Sequence, residues 1–229
     1  IGDSSVSLGH PAVSQDELTM YFVSDSLPNL KGRGGKDIWV VKRSSPNGAW
    51  GKPINAGPKI NTKGDEKFPF VRANGELYFA SDGHAGMGGL DIFKAVKNGT
   101  VWEVENMKYP INSSKDDFGI CFYEDKNLGY FSSKRDKKIN LYSFEMPDMI
   151  FALRGTVLDS DANAPLSDAD VKLTSPSGHE LEIRTSSDGT FRFNLNKNTD
   201  YSVIASKSEY LSAIVDRSTK GLKESTEFD

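Results

Sequence analysis

Two acidic pairs, Asp65-Glu66 and Asp116-Asp117, come nearest in type and spacing to a reactive site. Each stands at the entrance to an apolar segment, in matching surroundings. Carboxylates gathered from repeated units offer the hard oxygen ligands that a cation such as calcium prefers. The rival reading pairs them with Lys67, Lys115 or Arg72, or has them accept backbone N–H bonds in their own loops. Motifs that recur in a repeat usually hold loops together, and that reading is preferred. The four carboxylates are kept as cation candidates; no metal or cofactor is assigned.

Other chemistry finds less support. His10, His84 and His179 share no ligand spacing, and no His-Glu-x-x-His string occurs. A Ser-His-Asp triad on a Gly-x-Ser-x-Gly elbow has no match. The glycine-rich stretches Lys31–Gly35 and Gly86–Gly89 mimic phosphate cradles. They lead into strands rather than helices and lack the Lys-Ser/Thr pair, so glycine is expected there for loops needing φ > 0. Cys121 is the only cysteine, which excludes an intrachain disulfide. Between Ile120 and Phe122, it is expected to be a buried, inert thiol. No catalytic or cofactor-binding residue is assigned, and the chain is expected not to be an enzyme.

The elements that would carry these residues repeat. Gln15–Asp25, Ala73–Asp82 and Asp125–Ser133 each read as a turn followed by an alternating aromatic strand. The first two close on Asp25 and Asp82. Next, Asp37-Ile38-Trp39 matches Asp91-Ile92-Phe93, and Asn140-Leu141-Tyr142 is a third version. The short Asp or Asn side chain can bond a backbone N–H of the preceding turn. Trp50 and Trp102 follow, then Pro53-Ile54-Asn55 and Pro110-Ile111-Asn112, which are aligned with one another. Tyr21-Phe22, Tyr78-Phe79 and Tyr130-Phe131 recur at equivalent places and are assigned to core packing, as Trp50 and Trp102 are to outer-strand packing. Matching positions lie about 50 to 58 residues apart, with four short strand signals per period, the pattern of a propeller blade. In the middle repeat, strands are expected near 68–73, 75–82, 91–97 and 101–107.

These residues resemble the WD40-like repeat called PD40: an Asp-Gly or Asn-Gly turn, Leu-Tyr-Phe-Ala-Ser-Asp, then Gly-Gly-x-Asp-Ile-Phe. The variant with Ile60-Asn61-Thr62, Asp65-Glu66 and Pro69 resembles outer-membrane-associated proteins of the Bacteroidota. The first copy has Gln15-Asp16 in place of the turn glycine, and the third lacks the Gly-Gly pair. The resemblance implies a partial propeller of about two and a half blades over residues 1–147, where closure needs at least four. The missing outer strand and blades are expected upstream of Ile1, and the acidic pairs near one mouth of a central channel. Exposed half-propeller faces are expected to self-associate.

From Phe151 the pattern changes to seven short strand signals, with Ser187-Asp188-Gly189-Thr190 as a tight turn. Strands are expected at 169–174, 180–185, 190–195, 201–206 and 211–215, with a last one starting near Phe228. Residues 148–229 resemble the carboxypeptidase regulatory-like domain, a transthyretin-like β-sandwich. The string runs from Leu153-x-Gly155-x-Val157 through Asp188-Gly189-x-Phe191-x-Phe193 to Tyr201-x-Val203-x-Ala205. The whole is thus expected to be all-β.

Totals bound the function. The chain has 229 residues, 37% hydrophobic, with net charge −4 and mean hydropathy −0.49. No clustered basic face recruits nucleic acid, and no apolar run reaches the ~18 residues of a membrane helix. The layout resembles the middle of OmpA-family periplasmic proteins, PorE-like, of the type IX secretion system. That resemblance implies a periplasmic, outer-membrane-associated scaffold. Its partners would be proteins of the secretion and outer-membrane machinery, with peptidoglycan bound only through a domain outside this sequence. The alternatives are a glycan- or peptidoglycan-binding propeller and the accessory propeller of a peptidase.

Overall fold

Short runs of alternating aromatic, aliphatic and polar residues, bounded by glycine and asparagine, fold as strands throughout. The computed structural model describes residues 6–124, 126–222 and 224–229. Ile1, Asp125 at the head of the third repeat copy, and Lys223 lie outside them. Among the described residues there is no helix, so none is long and apolar enough to cross a membrane. The chain divides into two units, Ile1–Met146 and Pro147–Asp229.

The first unit holds three successive antiparallel sheets. The first is β1 (Leu8–Val13), β2 (Thr19–Ser24), β3 (Asp37–Lys42) and β4 (Ile54–Asn55), in that order. The second is β5 (Glu66–Val71), β6 (Leu77–Ser81), β7 (Asp91–Asn98) and β8 (Val101–Asn106). The third has three strands, β9 (Asp117–Phe122), β10 (Leu128–Ser133) and β11 (Asn140–Glu145). The sheets pack in sequence order, β5 against β1, β2 and β3, and β9 against β5, β6 and β7. One cluster (Val23, Ile38, Ile60, Leu77, Phe79, Phe93) joins the first two sheets, and another (Tyr78, Ile92, Ile111, Ile120, Phe122, Phe131) joins the last two. Each such side chain, fully buried, contributes about 1.5–3 kcal/mol.

The first strand of every sheet is bulged at one equivalent place. His10 (φ 50°), Phe68 (φ 52°) and Gly119 (φ 67°) take left-handed backbone there. The bulge shifts register and bends the strand. His10 stacks on Phe68 at 4.2 Å, and Phe68 on Phe118 at 5.0 Å, so the rings run across all three sheets.

The second unit packs β15 (Thr190–Leu195), β12 (Phe151–Thr156) and β18 (Thr226–Phe228) as one sheet. The other is β14 (Glu180–Arg184), β13 (Asp170–Thr174), β16 (Asp200–Ser206) and β17 (Ala213–Ser218). Phe151, Leu153, Phe193 and Leu195 from one sheet meet Val171, Leu173, Tyr201 and Val203 from the other. β18 runs parallel to β12, and the remaining pairs are antiparallel. The strand expected at 211–215 lies at 213–218, because Leu211 stays in the preceding loop, 99% exposed.

Candidate functional site

The acidic pairs sit where one sheet passes to the next. Asp65 Oδ1 accepts the Lys36 amide at 2.8 Å, and its other oxygen pairs with Lys67 Nζ at 2.6 Å. Asp116 repeats this, accepting the Leu90 amide at 3.2 Å and pairing with Lys134 at 3.0 Å. The second carboxylate of each pair opens its strand rather than preceding it. Glu66 is fully buried and accepts from Thr62 N, Thr62 Oγ1 and Ser81 Oγ at 2.6–2.9 Å. Asp117, shorter by a methylene, accepts from Ser113 N and Oγ, and Arg135 bridges it to Ser133. Lys115 and Arg72, named as partners from the sequence, are not the ones used: Lys134 and Arg135 serve the second pair, and Arg72 turns to Glu76 at 3.6 Å. Among the described residues no three His, Cys, Asp or Glu side chains converge as metal ligands.

The Asp that opens the third strand ties down the loop before it. Asp37 Oδ2 accepts the Arg33 amide at 2.6 Å and Asn55 Nδ2 at 2.8 Å. Asp91 Oδ2 accepts the amides of Met87 and Gly88 at 2.7 and 2.9 Å. The second oxygen of each is buried without a partner among the described residues. Ser24, Ser81 and Ser133 stand opposite Asp37, Asp91 and Asn140 on the neighbouring strand. Asp82 accepts the Asp65 amide at 2.7 Å, whereas Asp25 is exposed and, among the described residues, is approached by Ser26 Oγ at 3.4 Å. Asn140 is exposed at the head of β11.

These loops overturn the reason expected for their glycines. Gly34, Gly35, Gly86, Gly88 and Gly89 do not have positive φ. Their neighbours come too close for a side chain: a Cβ on Gly86 would lie 2.0 Å from Asp91 Oδ2, and one on Gly88 2.3 Å from the Lys115 carbonyl. Close backbone approach, not left-handed backbone, demands glycine here.

Sequence reading missed the two asparagines that lock the sheets. Asn61 and Asn112, both buried, each accept the amide and reach the carbonyl of one residue, Ile38 and Ile92 respectively. Each also donates to the asparagine ending the outer strand, Asn55 or Asn106, at 2.9 Å. The alignment of Pro53-Ile54-Asn55 with Pro110-Ile111-Asn112 is therefore corrected. Asn55 corresponds to Asn106, and Asn61 to Asn112. The signal was present: both pairs share the offset that relates Asp65 to Asp116.

Equivalent apolar positions meet different fates. Tyr78 and Ile92 are 0% exposed beneath the third sheet, while their counterparts Tyr130 and Leu141 are 48% and 69% exposed. Cys121, expected in the core, is exposed beside Tyr130. Its neighbours Ile120 and Phe122 take the inward face, and alternation turns Cys121 outward. Trp39 is buried; Trp50 and Trp102 are half-buried beneath Arg43 and Lys97 at 4.3 and 5.7 Å.

Partial burial first, then Lys67 and Lys36, hold the His10 imidazole below its ordinary pKa. Its Nδ1 accepts the Phe68 amide at 3.2 Å. His84 bonds the Ile60 carbonyl at 2.9 Å, the place Arg135 takes on Ile111. His179 belongs to the second unit. Burial pushes Glu76 up, but hydrogen bonding and charge from Lys94, with Asn74 and Tyr78, bring it below the usual carboxylate range. Arg72 reaches from this group to Asn127 and lies 4.4 Å over Phe122, bolting the second sheet to the third. A groove of about 730 Å³ runs between the first two sheets, past Tyr21, Trp102, Ile54, Val101, Lys42 and Glu76.

The carboxypeptidase regulatory-like domain family matches residues 152–228, the strands of the second unit. No curated protein matches the chain. Among solved structures, the Bacillus anthracis TIE protein is similar at a TM-score of 0.33 and 10% identity, over 100% of this chain. The chain spans 57% of that protein's length.

Proposed function

We propose that this chain is a non-catalytic scaffold whose three sheets are successive blades of a WD40-like propeller, followed by a rigid regulatory-like spacer. The observation that carries this reading is the repeated polar network. Asp65, Glu66, Asp116 and Asp117 all bond their own loops or the preceding sheet, so the repeat spends its carboxylates on joining sheets. The burial of Ile38 and then of its counterpart Ile92, each in a cluster shared with the following sheet, supports side-by-side stacking. In this reading the protein acts in the periplasm at the outer membrane. It links components of a type IX secretion machinery, and the cell wall is reached through a domain outside this sequence.

The test is removal of residues 1–146 from the parent gene in a type IX-secreting bacterium. Loss of cargo secretion, with the remaining protein still attached to the wall, is expected; normal secretion overturns the scaffold role. The groove with Tyr21 and Trp102 favours one second reading, a glycan site. Sedimentation with purified peptidoglycan sacculi separates the two. The scaffold reading expects this chain in the supernatant, and the glycan reading expects pelleting that Trp102→Ala abolishes.

A further inference from the structure

The third sheet stops one strand short of the other two. In sheets one and two an outer strand covers the third one, β4 on β3 and β8 on β7. Among the described residues nothing pairs with the outer edge of β11.

The hydrogen-bond parity fixes which groups are open. The Met146 amide donates to the Asn127 carbonyl at 2.7 Å, continuing the ladder that pairs Leu128 with Glu145. Antiparallel ladders alternate, so Asn140, Tyr142 and Phe144 bond β10, while Leu141, Ser143 and Glu145 turn N–H and C=O to the open side. In β7 the same positions are Ile92, Lys94 and Val96. There the Ile92 carbonyl accepts Met107 N at 3.0 Å, and the Asn112 amide closes on both Ile92 backbone groups at 2.8 Å. In β3, Ala56 and Asn61 do the same for Ile38.

The side chains beside this edge also have a template. Tyr142, Phe144 and Met146 are half-buried against the core of the third sheet. The β7 counterparts of the first two, Phe93 and Ala95, belong to a cluster packed by Trp102 and Val104 of β8. The edge is also lightly guarded, its one charge being Glu145 at the end of the strand. Sheet edges are normally blunted by proline, lysine or a bulge. β1 carries Pro11 and a bulge, whereas β11 has neither proline nor lysine and pairs in unbroken register over its six residues.

We propose that β11 accepts an extended strand of a partner polypeptide, in place of the upstream segment of its own chain expected from the sequence, antiparallel, built as β8 and its following turn are built; protection of the outward β11 amides in the parent protein alone would overturn this. The partner segment alternates aromatic and aliphatic residues. It carries two asparagines six positions apart; isoleucine precedes the second, and the side-chain amide of that second asparagine closes on the N–H and C=O of Leu141. This rests on the scaffold reading and names the chemistry of its partner.

The probe is a synthetic peptide with the sequence of residues 99–112, added to the full chain. Saturable binding is expected, with slowed hydrogen exchange at the amides of Leu141, Ser143 and Glu145. Ser143→Pro removes an outward N–H and leaves the β10 ladder intact, so melting is unchanged while affinity falls about tenfold or more. A peptide with Asp at the second asparagine binds about tenfold more weakly. Unprotected amides at saturating peptide, or unchanged binding to Ser143→Pro, overturns the inference. Secretion supported equally by Ser143→Pro in the parent protein also overturns it, while the scaffold reading still stands on the deletion of residues 1–146.

Discussion

Asn112 holds Ile92 by both backbone groups: the Ile92 amide donates to Oδ1 at 2.8 Å, and Nδ2 donates to the Ile92 carbonyl at 2.8 Å. The asparagine lies in the segment leading to the third sheet, and the isoleucine in the second. One fully buried side chain therefore links the connection to the strand it crosses. Asparagine suits this because it alone offers donor and acceptor at that length. Asn112→Asp keeps the shape, loses the donor and sets a carboxylate oxygen against a carbonyl. The expected cost is about 2–4 kcal/mol, the price of a broken buried pair with an added unpaired charge. Urea unfolding followed by tryptophan fluorescence measures it, because Trp39, Trp50 and Trp102 all lie in the first unit. Asn98→Asp, at an exposed hairpin, is expected to change stability by under about 0.5 kcal/mol.

The glycines of the two long loops separate crowding from backbone freedom. A Cβ on Gly34 would lie 2.4 Å from the backbone of Lys63, and one on Gly88 2.3 Å from that of Lys115. Backbone cannot swing aside as a side-chain tip can. Gly34→Ala and Gly88→Ala are each expected to cost about 1–3 kcal/mol through overpacking. Among the described residues, Gly9 has nothing within 4 Å of a Cβ, and it has no positive φ. Gly9→Ala is expected to be neutral, or to stabilise by about 0.4–1 kcal/mol through the unfolded chain. Melting curves of the three variants decide. Equal losses at all three positions would contradict the crowding argument.

Most of the strands were legible because they are written locally. Leu77-Tyr78-Phe79-Ala80-Ser81 is apolar, aromatic and preceded by Asn74-Gly75, and it folds as β6 inside the expected span. What was not legible depends on contacts between sheets. Asn61 and Asn112 follow outer strands of unequal length, Ile54–Asn55 against Val101–Asn106, and that difference hid the equivalence behind two similar Pro-Ile-Asn strings. The fate of Cys121 likewise turns on whether a further sheet covers its face, which no period within the strand records. The acidic pairs were found from the sequence. Lys67 was read correctly as the partner of Asp65. The partners of the second pair, Lys134 and Arg135, lie just past the end of the following strand, beyond any local pattern.

Cys121 gives a direct check on which face of the third sheet is bare. It is exposed, opposite Tyr130 in the ladder between β9 and β10. One thiol per chain is expected to react with a disulfide reagent in the native protein, at a rate close to that in denaturant. Reaction only after unfolding would mean that the face is covered in solution, by a second copy or otherwise. Sizing of the same sample by light scattering then tells which.

The second unit carries its own pH signature at the turn between β14 and β15. Asp188 Oδ1 accepts from Ser186 Oγ, from Thr190 Oγ1 at 2.7 Å and from the Thr190 amide at 3.2 Å. These hydrogen bonds, Ser186 first and then Thr190, lower its pKa from 3.8 to about 2. A carboxylate depressed on folding stabilises the native state above its unfolded pKa. That contribution fades as pH falls from about 4 toward 2, where the folded protein also takes up the proton. An NMR titration of the Asp188 carboxyl carbon is expected to show a midpoint near 2, and one near 3.8 would show that the turn bonds do not form. Asp188→Asn keeps much of the turn but removes the titration. In that variant the second unit's melting temperature is expected to fall less steeply between pH 4 and pH 2 than in the parent, with no difference in slope between pH 5 and pH 7.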